Sequence, residues 1–140
     1  MIAQAPTASE LHANPIVQQA IQQAWIDSQA SDPLLRHEEG GWIFINTTTG
    51  QISVQRQSSG GKSAIDLGSP PTVPGSVVVG KFHTHPNPTS EGWKPGPSKE
   101  DEITDVMHGV PDLIRADDEI HTSGPDSRRG GLAGGPGFPP

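Results

Sequence analysis

The chain has 140 residues, of which 31% are hydrophobic, and it carries a formal net charge of -7. This length predicts one domain with a modest core, and the negative charge, with no stripe of Lys and Arg to offset it, argues against nucleic-acid binding. The chain has no cysteine, which excludes disulfides and thiolate chemistry, so any metal must be held by histidine and carboxylate side chains.

The N-terminal part of the chain predicts an arm followed by a helix. Residues 1–13 lack the basic and hydrophobic regions of a signal peptide, and no apolar run is long enough to span a membrane. We therefore expect a flexible N-terminal arm on a cytoplasmic protein, although export by a signal-less route stays open. Asn14 and Pro15 provide an N-cap and a first-turn proline, which predicts a helix over residues 14–29. Its apolar stripe is Ile16, Val17, Ala20, Ile21, Ala24 and Trp25.

Two strand-like runs follow, at residues 42–46 and 51–57. The segment between them, Thr47-Thr48-Thr49-Gly50, is typical of a hairpin turn with glycine at the position that needs positive φ. We therefore expect an antiparallel pair of strands. Residues 64–76 are rich in proline and predict a loop that leads into the next strand.

The valine run 77–79 opens the stretch that carries the chemistry. Valine is β-branched and apolar, so the run predicts a buried strand. Residues two apart on a strand point to the same face, so we expect His83 and His85 to project side by side. Two imidazoles can share one metal ion, but a divalent cation also needs a third protein ligand. Asp101, at the start of the next predicted helix, is the candidate.

Ser98 and Asp101 lie three residues apart, just after Pro97. Together with the acidic residues that follow, they predict the start of a helix over residues 99–108. The Ser-x-x-Asp spacing is also that of a capping box, so helix capping and metal ligation are both interpretations of this pair. We expect His108, near the end of the helix, to interact with the C-terminal helix dipole.

A pair of glutamates precedes the first predicted strand, in the segment His37-Glu38-Glu39-Gly40-Gly41. The two glycines allow another backbone to approach closely. A glutamate, then His-Thr-His-Pro, then Ser-x-x-Asp, in this order, resembles the JAMM (MPN+/JAB) zinc metalloprotease family of prokaryotic type. The resemblance covers residues 38–101.

The resemblance implies a role for each motif residue. The implied Zn²⁺ ligands are His83, His85 and Asp101. Glu38 would act as the general base, and Ser98 would help to hold the oxyanion. Glu39 is the alternative base; because alternation along the strand puts the two glutamates on opposite faces, only one can reach the metal-bound water, and we favour Glu38.

The implied activity is hydrolysis of a peptide or isopeptide bond. The expected partner is a protein or peptide substrate, ubiquitin-like conjugates included, and neither a nucleic acid nor a membrane. Two other interpretations stay open. One is a non-catalytic MPN-fold module that binds proteins, and the other is a non-haem iron enzyme that uses two histidines and a carboxylate.

The spacing between His85 and Ser98 is longer than is usual in this family, which indicates an insertion. The insertion is flanked by four prolines, which restrict the backbone and favour an ordered loop. These are Pro86, Pro88, Pro95 and Pro97. Trp93, at the tip of the loop, either contacts the substrate or packs the loop onto the sheet.

The resemblance also implies the fold class, an α/β fold in which a JAB/MPN-like mixed β-sheet is sandwiched by helices. Residues 112–116 and 119–122 predict a second hairpin. We expect a single domain over residues 14–123. Residues 124–140 are rich in glycine and proline without apolar periodicity, which predicts a disordered C-terminal tail.

Overall fold

The computed structural model of the protein describes residues 4–134 and residue 137. Within this part of the chain there are three α-helices and five β-strands. The helices are α1 (Ala8–Ala13), α2 (Pro15–Asp27) and α3 (Lys99–His108). The strands are β1 (Gly40–Asn46), β2 (Ile52–Arg56), β3 (Ser76–Thr84), β4 (Asp112–Arg115) and β5 (Ile120–Ser123).

The five strands form one mixed sheet in the order β2-β1-β3-β4-β5. Strands β3 and β4 are parallel, and the other neighbouring pairs are antiparallel. The parallel pair requires a crossover, which the long loop after β3 and helix α3 provide. The predicted mixed α/β class is therefore confirmed, and so are both predicted hairpins.

Two apolar clusters cover the two faces of the sheet. Alternation along β1 turns Ile43 and Ile45 towards α1 and α2, and turns Trp42 and Phe44 to the opposite face. The helix predicted over residues 14–29 is confirmed as α2, which ends at Asp27, and its predicted N-cap is confirmed because the Asn14 side chain accepts hydrogen bonds from the first turn. No helix within the described ranges combines the length and apolar character needed to cross a bilayer.

A bulge in β3 decides which face the two motif histidines occupy. Ile43 pairs with Gly80 and Phe44 pairs with Val78, so Val79 is the extra residue between them. One extra residue reverses the alternation of the side chains that follow it. As a result Phe82 joins the cluster under α1 and α2, and His83 faces the layer that contains α3.

Helix α3 has the predicted bounds, but its apolar stripe points outwards. Ile103, Val106 and Met107 share one side of the helix, and each is at least half exposed. The residues that α3 buries are Asp105 and His108. The helix is therefore joined to the sheet mainly by polar and ionic contacts.

The flexible arm expected for residues 1–13 is corrected over residues 8–13, which form α1. The Thr7 side chain accepts from the Glu10 N–H and the Glu10 carboxylate accepts from the Thr7 N–H, so the helix begins with a capping box. Leu11 lies in the core under the sheet. Residues 1–3 of the expected arm lie outside the described residues.

The disordered tail expected for residues 124–140 is corrected over residues 124–134. Arg128 is buried and donates hydrogen bonds to the carbonyl oxygens of Val78 and Gly134. The Ala8 N–H also donates to the Asp126 carbonyl, which joins this segment to α1. Residues 135–136 and 138–140 lie outside the described residues.

Candidate metal centre

Three side chains converge at the end of β3. The Nε2 atoms of His83 and His85 lie 3.1 Å apart. The Asp101 Oδ2 atom is 3.3 Å from the first of these nitrogens and 3.1 Å from the second. The structure thus brings together His83, His85 and Asp101, the three residues proposed from the sequence as metal ligands.

The three donor atoms have the separations that one small cation needs. Bonds of about 2.0–2.1 Å to a tetrahedral zinc ion place neighbouring ligand atoms about 3.3 Å apart. The observed separations of 3.1, 3.3 and 3.1 Å fit this geometry. Two imidazoles and one carboxylate are a ligand set of zinc and also of non-haem iron, so the residues present suit the zinc ion that the resemblance implies but do not by themselves identify the metal.

The N-terminus of α3 holds Asp101 in place. The Ser98 N–H donates to Asp101 Oδ2 at 2.9 Å, and the Asp101 N–H donates to Ser98 Oγ at 3.0 Å. The predicted capping box is therefore confirmed, and the capped carboxylate oxygen is the one that faces the imidazoles. Burial opposes ionisation of this carboxyl, but hydrogen bonds from His83 and His85 outweigh it and hold the pKa of Asp101 well below its usual range.

Glu38 lies beside the two imidazoles, immediately before β1. One of its carboxylate oxygens and one nitrogen from each of His83 and His85 are all within 4.8 Å of one another. The side chain is buried, and this burial is the main reason why the pKa of Glu38 is raised to about 7. A carboxyl with this pKa can both accept and release a proton near neutral pH.

The neighbouring Glu39 is committed to other partners. Its carboxylate accepts from Arg56 at 2.7 Å, lies 2.6 Å from His37 Nε2 and accepts from the Ser59 hydroxyl. Burial would raise the pKa of Glu39, but the hydrogen bonds from Ser59, Arg56 and His37 outweigh it and lower the pKa. Glu39 therefore stabilises the start of the sheet, and Glu38 is the glutamate that lies next to the histidines.

Asp112 lies behind His83 and is not among the site residues predicted from the sequence. Its Oδ1 is 3.2 Å from His83 Nδ1, the ring nitrogen that does not face Asp101. A carboxylate at this position fixes the tautomer and orientation of a metal-binding imidazole. No local pattern marks this residue, because Asp112 reaches the site through the parallel pairing of β4 with β3.

A buried ionic cluster continues behind Asp112. The Lys81 ammonium lies 2.6 Å from Asp105 Oδ1 and 2.8 Å from His108 Nδ1. Burial and the nearby Asp112 charge raise the pKa of Asp105 to about 7, although Lys81 opposes this shift. Burial and Lys81 lower the pKa of His108 to about 4, so its imidazole is neutral and the predicted interaction with the helix dipole is wrong.

A cavity of about 410 Å³ lies beside the donor atoms. Glu38, His85 and Ser98 form the part of its wall next to the candidate metal site, and Trp93 belongs to the inserted loop. Trp93 keeps 45% of its surface exposed, so it lines the cavity and is not packed into the sheet.

The inserted loop is held at several points along its length. The Thr89 N–H and hydroxyl both donate to Asp117 Oδ2. The Arg36 guanidinium pairs with Glu91 at 3.3 Å. These contacts agree with the ordered loop that the prolines predict, and they give the cavity a defined outer wall.

No protein-family model, curated protein or solved structure matches this chain. The JAMM resemblance therefore stays a prediction from the motif residues, and so does the JAB/MPN fold. The structure itself shows a mixed α/β domain in which two imidazoles and a carboxylate converge beside a buried glutamate.

Two other candidate sites within the described residues are less suited to catalysis. Asp118, Glu119 and His121 form a second group with metal-ligand atoms, but the two carboxylates are exposed. A shallow groove of about 960 Å³ between α2 and β2 is larger than the cavity beside the histidines, but none of its lining residues is titratable. The candidate catalytic centre is therefore the one beside His83 and His85.

Proposed function

We propose that this protein is a zinc-dependent metallopeptidase of the JAMM type with a JAB/MPN-like fold. Its reaction would be hydrolysis of a peptide or isopeptide bond in a protein or peptide substrate, ubiquitin-like conjugates included. The observation that carries the proposal is the convergence of His83, His85 and Asp101 with separations of 3.1–3.3 Å, next to the buried carboxyl of Glu38.

The ligand residues would hold the ion through two neutral imidazoles and one carboxylate. A bound zinc ion supplies a Lewis acid and lowers the pKa of a coordinated water to about 7. The Asp112 carboxylate supports this arrangement, because it accepts from His83 Nδ1 and leaves Nε2 free to bind the metal.

Glu38 is suited to move the proton during hydrolysis. With its pKa raised to about 7, it can take a proton from the attacking water and deliver it to the leaving amine. The Ser98 oxygen accepts from the Asp101 N–H, so the Ser98 hydroxyl proton stays free to donate to the developing oxyanion. Both side chains line the same cavity, where a substrate amide would lie.

The matched pair of variants Glu38→Gln and Glu39→Gln tests the proposal. Both changes are isosteric and lie at adjacent positions. Glu38→Gln should lower turnover of a peptide or isopeptide substrate by at least about 100-fold, because it removes the general base, and it should retain zinc because no ligand is lost. Glu39→Gln should retain turnover within about tenfold, because Glu39 does not face the donor atoms.

Turnover and zinc content, measured on the same preparations, distinguish the roles. Full activity in Glu38→Gln would refute Glu38 as the base, and loss of activity in Glu39→Gln alone would transfer that role to Glu39. Loss of zinc from Glu38→Gln would make Glu38 a ligand instead.

A further inference from the structure

Two lysines differ from the other cationic side chains in having no polar partner in the part of the chain that the structure describes. Of the nine Lys and Arg side chains, Lys94 and Lys99 are the pair that make no hydrogen bond, ion pair or ring contact within the described residues. The other cations are all engaged: Arg36, Arg56, Lys62, Lys81, Arg115, Arg128 and Arg129.

Both unpaired lysines lie in the wall of the 410 Å³ cavity. Lys94 follows Trp93 in the inserted loop, and Lys99 is the first residue of α3. A cation in the first turn of a helix is disfavoured by the helix dipole, so the position of Lys99 is not explained by helix stability. The cavity thus combines two free ammonium groups with an aromatic side chain and the proposed catalytic residues.

The charge of the whole chain makes this cluster unusual. A protein with a net charge of -7 repels anions over most of its surface. Among the described residues that line the cavity, Lys94 and Lys99 carry a positive charge and Glu38 is the one acidic residue. An ammonium attracts a carboxylate most strongly at short range, so these two lysines favour a bound carboxylate. An exposed indole beside them offers an apolar surface for the stem that carries the carboxylate.

We propose that this cavity selects substrates that carry a carboxylate next to the scissile amide. The carboxylate can belong to an aspartate or glutamate side chain, or to the C-terminus of a short peptide. The proposal rests on the proposed peptidase function for the identity of the scissile bond. The recognition by Lys94 and Lys99 can, however, be measured without turnover.

Binding of short peptides to the zinc-loaded Glu38→Gln protein tests this recognition. The probes are an acetylated, amidated tripeptide ending in aspartate, its asparagine counterpart, and the asparagine tripeptide with a free C-terminal carboxylate. We expect at least one carboxylate probe to bind about fivefold more tightly than the neutral probe, the size of effect that two partly exposed ion pairs can give. The identity of that probe distinguishes the side chain from the C-terminus as the source of the carboxylate.

The same titrations in a Lys94→Gln/Lys99→Gln background, with Arg129→Gln as a matched control, identify the groups responsible. The preference should disappear in the double lysine variant and persist in the control, because Arg129 is outside the cavity. Equal affinity for all probes would overturn the proposal. A preference that survives in the double variant would also overturn it, since the metal would then be binding the carboxylate. Failure of the wild-type protein to hydrolyse any peptide would refute the peptidase function but leave this binding result intact.

Discussion

At the scale of single residues, Glu38 lies in surroundings that oppose its own charge. Only 4% of its surface is exposed, and burial is the dominant cause of its raised pKa. Its backbone is also fixed, because the Glu38 N–H donates to the Gly61 carbonyl and its own carbonyl accepts from the Gly60 N–H. A general base held in this way costs stability and gains a pKa near the working pH.

This cost gives a pH-dependent prediction for the metal-free protein. The pKa of Glu38 is about 4.5 when unfolded and about 7 when folded, so the folded state binds the extra proton between these values. Its contribution to stability is present at low pH and is lost as the pH rises through about 7. Relative to wild type, Glu38→Gln should therefore gain up to about 3 kcal/mol in free energy of unfolding between about pH 5 and about pH 8.

Urea unfolding of both proteins in the presence of a chelator measures this difference. Between about pH 5 and about pH 8, the free energy of unfolding of the wild type should fall steadily relative to that of the isosteric variant. A difference between the two proteins that stays constant with pH would mean that Glu38 is not a buried, proton-binding carboxyl.

Asp112 acts on the site through His83, and its replacement tests that positioning role. Asp112→Asn keeps the shape of the side chain but removes the charge beside His83 Nδ1. Zinc affinity should fall by about 10- to 100-fold, the usual effect of losing such a partner of a ligand. Asp118→Asn is the matched control, because Asp118 also contacts a histidine, at 3.1 Å, but outside the site.

Competition with a chromophoric chelator gives the affinities of both variants. Affinity unchanged by Asp112→Asn, or lowered equally by the control, would remove the positioning role of Asp112.

At the scale of elements, α3 joins the sheet through charge where most helices use apolar contacts. The Lys81 and Asp105 side chains meet at 2.6 Å, and both are almost completely inaccessible to solvent. The His108 ring lies 5.1 Å from the Trp42 ring. Because the same helix carries Asp101, these contacts also position the third proposed metal ligand.

Removing one partner of this buried pair should be costly, and replacing both should be less so. Lys81→Met should lower the free energy of unfolding by about 3–5 kcal/mol, because it leaves the Asp105 carboxyl buried without its cation. Lys81→Met/Asp105→Leu should recover more than half of that loss, since apolar packing replaces the pair. Lys99→Met, on the exposed side of the same helix, should change stability by less than about 0.5 kcal/mol.

Chemical unfolding of the three variants without metal checks this expectation. If the double variant is no more stable than Lys81→Met, the ion pair is not what attaches α3 to the sheet.

Local sequence signals predicted the helices, strands and turns better than they predicted how these elements pack against one another. Asn14 with Pro15 identified the start of α2, and the hairpin turn at Gly50 has the expected positive φ of 76°. Helix α1 was missed although Thr7 and Glu10 have the capping-box spacing, because the segment is too short to show apolar periodicity.

Within the site, the sequence could suggest only those residues that share a recognisable pattern. His83, His85 and Asp101 belong to such a pattern, and the structure places them together. The contacts of Asp112 and Lys81 depend on the register between β3 and β4, which no spacing along the chain encodes. Nothing in the valine run 77–79 predicts the bulge at Val79, although this bulge decides which face of the sheet the histidines occupy.

At the scale of the whole molecule, the site joins three segments that are far apart in sequence. Glu38 precedes β1, the two histidines lie at the end of β3, and Asp101 lies in the first turn of α3. A metal ion bound there would link the end of β3 to the start of α3 and stabilise the folded state by mass action. Metal binding is therefore the property on which the proposed catalysis depends.

Elemental analysis of the purified protein, with Asp101→Ala measured beside it, tests the central claim most directly. We predict about one zinc per chain in the wild type and a substoichiometric amount in the variant, because a catalytic zinc site is held by three protein ligands and the variant keeps only two of them. Iron in place of zinc would favour the alternative of a non-haem iron enzyme. A wild type that neither retains nor takes up a metal, or a variant that keeps its full zinc content, would contradict the assignment of His83, His85 and Asp101 as a zinc site.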